Sequence, residues 1–144
     1  MKHLGFTGTQ RGMTEFQFQL VDVILLELLQ LGFATLHHGL CIGADAQAHK
    51  IARAWSRPSG QPGRYEIHGH PANIWEKQQA NLDCDVLHPI AEPLNRNRVI
   101  AHTCDLLLAT PAELTETLRS GTWATIRYAR EYGKPIIIIP PIPS

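Results

Sequence analysis

A short apolar run, a glycine-bearing loop and a helical pattern follow one another at the start of this chain, and the same order then recurs. Leu4 to Thr7 is the first run, Gly8-Thr9-Gln10-Arg11-Gly12 is the loop, and Thr14 opens the helix. Thr14 and Gln17 have the spacing of a capping box. Phe16, Leu20, Val23, Ile24, Leu28 and Leu31 then recur at helical intervals until Gly32 ends the run. This helix is apolar around more than one face, which fits either a contact with a second subunit or a thickly covered helix in a monomer. Phe33 to His38 reads as a second strand and Gly39 to Gly43 as a second loop, after which Ala44, Ala48, Ile51, Ala52 and Trp55 line one helix face.

The alternation continues beyond a stretch from Ser56 to Arg64 whose two prolines and two glycines mark a surface linker. Tyr65 to His68 and Asp85 to His88 are strand candidates, with little pattern between Gly69 and Asp85. Asn95 to His102 is a short helix, and Asp105 to Ala109 is a buried strand. Ser120 caps a helix that reaches Tyr132 and stops at Gly133, and Pro135 leads into four isoleucines, Ile136 to Ile139, which suit a central parallel strand. Strands that are apolar throughout are buried on both faces, and parallel neighbours need helical crossovers. The order therefore predicts a doubly wound α/β sheet.

Size and charge narrow the function classes. A chain of 144 residues buries enough surface for one core, so a single domain over residues 1–144 is expected. Thirteen basic side chains face 13 acidic ones, which excludes broad capture of nucleic acid through surplus positive charge. Cys41, Cys84 and Cys104 form neither an even set nor a CxxC pair, and no signal peptide is evident, so a reducing cytoplasm is the expected compartment. Leu20 to Leu31 is the longest apolar stretch; Asp22, Glu27 and Gln30 interrupt it, and it is well short of the roughly 20 residues of a spanning helix. No membrane association is expected.

In open parallel sheets, ligands bind beyond the carboxyl ends of the strands. The loops to inspect are therefore Gly8 to Gly12, Gly39 to Asp45, Asn95 to Arg98 and Thr110 to Thr122. Glycine lets backbone N–H groups approach an anion, and a following helix adds the positive end of its dipole, although tight turns use the same residues. The first loop lacks the lysine and hydroxyl of a P-loop, and no G-x-G-x-x-G follows the first strand, which disfavours an ordinary NTPase or NAD site. Neither a G-x-S-x-G elbow nor an H-E-x-x-H helix is present.

Arg96 and Arg98, at the start of a short helix, oppose its dipole unless an anion compensates, and Arg98 is the expected phosphate ligand; a solvated turn is the plainer alternative. Arg119-Ser120-Gly121-Thr122 combines a cation, two hydroxyls and a glycine where a helix begins, an arrangement that serves an anion nest or simply a serine cap. Asp45 and His49 share a helix face, where they would reach a ribose or bond each other. His68 and His70 together with His37, His38, Asp83 or Cys84 offer zinc-binding atoms, but no standard ligand spacing supports them and no metal site is assigned. Trp75 offers a face for base stacking or a satellite core.

Taken in order, Gly8-Thr9-Gln10-Arg11, His38-Gly39-Leu40-Cys41-Ile42-Gly43-Ala44-Asp45-Ala46-Gln47-Ala48-His49, Asn97-Arg98-Val99-Ile100-Ala101 and Ser120-Gly121-Thr122-Trp123-Ala124-Thr125 resemble the SLOG superfamily, and the likeness runs over most of the chain. That superfamily includes the core of the DNA-processing protein DprA (Smf) and the LOG phosphoribohydrolases. The resemblance implies a Rossmann-like three-layer α/β sandwich with a mostly parallel central sheet, binding a nucleoside phosphate or an ADP-ribose-like signal without a resident cofactor. It places Gly8, Thr9, Gln10 and Arg11 in one ligand loop, Gly43, Ala44 and Asp45 in a second, and Arg98 with Arg119, Ser120, Gly121 and Thr122 at the phosphate. LOG enzymes carry a catalytic glutamate where this chain has Thr125, so an N-glycosidic hydrolase would need Glu66, Glu113 or Glu116 instead. A DprA-like module binding single-stranded DNA is the other alternative, and a homodimer or higher homo-oligomer is the expected assembly.

Overall fold

The structure is a computed structural model that describes residues 2–55 and 64–142; most of the expected linker lies outside the described residues. The strands are β1 (Lys2–Gly8), β2 (Phe33–His38), β3 (Glu66–Gly69), β4 (Val86–Leu87), β5 (Leu106–Thr110) and β6 (Ile136–Ile138). The helices are α1 (Glu15–Gln30), α2 (Ala44–Ala54), α3 (Pro93–Thr103) and α4 (Gly121–Glu131), with a 3-10 turn at Glu76–Gln78. The six strands form one sheet in the order β4-β3-β2-β1-β5-β6, and every pairing is parallel.

Helices cover both faces, giving a Rossmann-like three-layer sandwich. On one face α1 and α2 bury Val21, Leu25, Ala48 and Ile51 against Leu4, Phe6, Leu36, Ile67 and Leu108. On the other, α3 and α4 bury Ile100, Ala101, Trp123 and Ile126 against Leu107 and Ala109. At about 25 cal/mol per Å² of apolar surface, these two cores are the main source of stability.

Two expectations change. The isoleucine run lies at the edge of the sheet, not its centre. Ile137 packs into the first core while Ile136 and Ile138 pack into the second, so the run records helix cover on both faces rather than a central position. In α1 the buried stripe is Gln17, Val21, Leu25, Leu28 and Leu29, whereas Val23 and Leu31 are 56% and 64% exposed. Gln17 leads the stripe because its amide is fully used: Nε2 donates to the carbonyls of Pro111 and Ile139, both at 2.8 Å, and Oε1 accepts from Thr14 N–H at 3.0 Å. The Thr14 hydroxyl accepts from Gln17 N–H in return, completing the expected capping box. No described helix is long and apolar enough to cross a membrane.

Candidate functional site

From β1 the chain winds outward to β2, β3 and β4, then returns to place β5 on the other side of β1. The loops that leave β1 and β5 therefore diverge, and a crevice opens beyond the carboxyl ends of these two strands. A cavity of about 310 Å³ lies there. Its walls are Thr7 to Gln10 at the end of β1, Gly39, Cys41 and Asp45 after β2, Arg96 and Asn97 of α3, and Glu113 with Arg119 to Thr122 after β5.

Glycine is required where the first loop meets α2. A Cβ on Gly8 would lie 2.3 Å from Thr110 Oγ1 and 2.4 Å from Ala44 Cβ, and one on Gly43, whose φ is +82°, would lie 2.4 Å from the Gln10 carbonyl oxygen. This contact lets the Thr9 carbonyl accept from Ala44 N–H at 2.9 Å and from Gly12 N–H at 3.2 Å. Ala44 N–H is thus bound within the protein and is not presented to a ligand. Gly43 and Ala44 brace the loop from behind, and the Arg11 side chain is exposed outside the cavity.

Asp45 does reach the cavity, where its Oδ2 accepts from the N–H groups of Gly39 at 3.1 Å and Cys41 at 3.2 Å. Burial raises its pKa to about 6 against the opposing effect of Arg96 and these two hydrogen bonds. Burial, then the Asp45 charge, push the Cys41 thiol up to about 11. His49 pairs with His38 at 2.9 Å, not with Asp45.

Of the two arginines of α3, the one in the cavity is Arg96. It is 8% exposed, and its Nη1 donates to the carbonyls of Gly39 at 2.6 Å and His70 at 3.0 Å, while Nε donates to Asn97 Oδ1 at 2.8 Å. Arg98 lies outside, its guanidinium 4.5 Å above the Tyr128 ring. Residues two apart on a helix are about 200° apart, so the two arginines cannot share a face. With Pro93 as the first helical residue, both also lie beyond the first three positions, where the dipole is weaker. The sequence did hold the signal for Arg96 and Asn97: they lie one turn before Ile100 and Ala101, on the face those apolar residues mark as buried.

At the start of α4, Ser120 Oγ accepts from Trp123 N–H at 3.2 Å, so the plain cap is present. The preceding N–H groups, of Gly121 and Thr122, have no intrahelical acceptor and lie in the cavity wall. The exposed Arg119 makes no ion pair among the described residues. Thr125 is buried in α4, donates to the Gly121 carbonyl at 3.0 Å and does not line the cavity. Of the three alternative glutamates, Glu66 pairs with His68 and Glu116 holds Arg127 and Arg130. Glu113 alone of the three lines the cavity, and its Oε1 is buried without a hydrogen-bond partner. Trp75 is 72% exposed under the Lys77 ammonium and does not line the cavity, so it forms no satellite core.

Together these features define a Rossmann-like α/β protein with a polar cavity at the point where strand order reverses. Its fold is similar to that of the structural genomics target TM1055, with a TM-score of 0.63 and 17% identity over 94% of this chain and 72% of that one. Two structures of the molybdenum cofactor carrier protein from Chlamydomonas reinhardtii are also similar, with TM-scores of 0.63 and 0.61 and 18% identity over 96% of this chain and 76% of theirs. No protein-family model and no curated protein matches the sequence.

Proposed function

We propose that the cavity binds a nucleotide or nucleotide-derived ligand, a nucleoside phosphate or an ADP-ribose-like molecule, with a phosphate seated at the start of α4. The observation that carries this reading is the pairing of the unsatisfied Gly121 and Thr122 N–H groups with Arg119, a cation that has no ion-pair partner among the described residues, in the wall of the cavity. Gly8, Thr9 and Gln10 also line the cavity, and Asp45 and Asn97 offer polar atoms for a ribose or base. The volume of about 310 Å³ is at the lower end of the roughly 300–1,000 Å³ range of small-molecule sites, which suits a mononucleotide-sized group better than a polymer. The likeness in fold to a molybdenum cofactor carrier protein also supports small-molecule binding.

Thermal shift with AMP, ADP, ADP-ribose and a short single-stranded DNA tests the proposal, because a ligand of the native state raises Tm, by the equivalent of about 2.7 kcal/mol at a hundredfold excess over Kd. The expected result is a shift with a small nucleotide that shrinks in Arg119→Ala. A shift with DNA alone would replace this reading with the DprA-like one.

Glu113 favours a second reading, an N-glycosidic hydrolase, because its unpartnered carboxylate in the cavity wall supplies the group that Thr125 lacks. Base release from a nucleoside monophosphate that disappears in Glu113→Gln would establish turnover. Binding without base release would leave the protein a binder.

A further inference from the structure

A second constellation of polar side chains lies away from the cavity, on the sheet face opposite α1 and α2. The register pairs His37 of β2 directly with His68 of β3, and Gly5 of β1 with His37. His3 lies two residues before Gly5, and His70 follows His68 by two. His88 follows Val86 by two, and Val86 is paired with His68. The period-two alternation of strands thus turns five histidines, dispersed in the sequence, toward one patch.

Their rings are in mutual contact. His70 and His88 stack with centroids 4.0 Å apart and planes 7° from parallel, and His37 lies 5.1 Å from His70 and 4.6 Å from His68. One ring nitrogen from each of His37, His70 and His88 lies within 4.8 Å of the other two. His37 and His70 are buried, while His88 and His68 are half-buried, so the cluster has a closed floor and a side open to solvent.

We propose that His37, His70 and His88 bind a divalent transition-metal ion of the Zn²⁺ type. Tetrahedral coordination at roughly 2.0–2.1 Å separates ligand nitrogens by about 3.3 Å, and His37 Nδ1 and His70 Nε2 already meet at 2.9 Å; the stacked His70 and His88 rings must turn out of parallel for all three nitrogens, which lie within 4.8 Å of one another, to aim at one ion. The all-imidazole set selects zinc, cobalt, nickel or copper and excludes magnesium and calcium, which take oxygen ligands. An outer layer is already built. His3 Nδ1 meets His37 Nε2 at 2.9 Å, His68 Nδ1 meets His88 Nε2 at 2.9 Å, and Glu66 meets the far nitrogen of His68 at 2.6 Å. A carboxylate–histidine–histidine chain of this kind orients a ligand ring and raises its basicity. His38, His49 and Cys84 also place ligand atoms within 4.8 Å of one another, on the other face of the same strands. That set lacks a comparable outer layer of hydrogen-bonded rings.

Cobalt(II) titration of the purified chain, followed by visible absorption and by competition with Zn²⁺, tests the assignment. The expected result is one ion per chain with tetrahedral d–d bands, no thiolate charge-transfer band, and displacement by Zn²⁺. His88→Ala and His88→Gln should each weaken the site by more than the roughly 10–100-fold expected for loss of an outer partner, which His68→Ala should show. Circular dichroism verifies that these variants fold, and Cys84→Ser should bind as the parent does. Absence of stoichiometric binding, binding that survives loss of His88 in a folded variant, or a thiolate band abolished by Cys84→Ser would each overturn the proposal.

Discussion

The guanidinium of Arg96 donates to the carbonyl of Gly39 across 2.6 Å, tying α3 to the loop that follows β2. The same nitrogen reaches the His70 carbonyl at 3.0 Å, so one buried cation holds the ends of two strands and lines the cavity. Removing it leaves two carbonyls without this donor. Arg96→Ala should cost about 2–3 kcal/mol in denaturant unfolding, on the scale of hydrogen bonds to charged groups, and should weaken nucleotide binding. Arg98→Ala, which removes exposed contacts with Tyr128 and Tyr132, should leave both the unfolding midpoint and ligand affinity unchanged. The opposite ranking of these two variants would contradict the assignment of the cavity arginine.

Gly43 combines a positive φ with a close backbone approach, whereas a Cβ on Gly32, at φ +98°, would meet nothing within 4 Å. Gly32→Ala should therefore show backbone strain alone, about 1 kcal/mol. Gly43→Ala should cost at least about 2 kcal/mol, because its Cβ also displaces the Gln10 carbonyl. Comparison of the two by thermal unfolding separates conformational strain from the closure of the first loop on α2.

The raised pKa of Asp45 gives a pH signature. Its pKa is 3.8 unperturbed and about 6 in the fold, so the native state binds the proton more tightly. The associated stability is fully present below about pH 4 and is lost as pH rises through about 6, amounting to as much as about 3 kcal/mol. Asp45→Asn should remove this component, so the stability difference between parent and variant should change over this interval and flatten above it. A difference independent of pH would show that Asp45 titrates normally.

Glu113 contributes a carboxylate without a partner to a cavity proposed to hold phosphate. Glu113→Gln should preserve the unfolding midpoint and, if the protein only binds its ligand, should tighten the Kd for a nucleoside phosphate by calorimetry. Weakened binding would show that the carboxylate contacts the ligand directly.

The sequence revealed local features more readily than those set by distant neighbours. The Thr14–Gln17 capping box, the Ser120 cap and the span of β2 follow from short-range chemistry, and the structure has all three. Gly8, Thr9, Gln10, Asp45 and Arg119 to Thr122 lie in one cavity because loop position alone places them at the carboxyl edge of a parallel sheet. The choice between Arg96 and Arg98 needed the rotational phase of α3, which Ile100 and Ala101 define. The edge position of β6 was hidden because a strand covered on both faces is equally apolar at the centre or the margin. The histidine patch was legible only in part: His37, His68 and His70 are grouped in the sequence reading, whereas strand register brings in His3 and His88 and leaves His38 and Cys84 in a separate set.

The most direct test of the central proposal is a ¹H–¹⁵N correlation titration with AMP and ADP-ribose. The account predicts saturable, one-to-one shifts largest at the amides of Gly121 and Thr122, with further changes from Gly8 to Gln10. Shifts concentrated elsewhere, or none with either nucleotide, would contradict the assignment of the cavity as a nucleotide site.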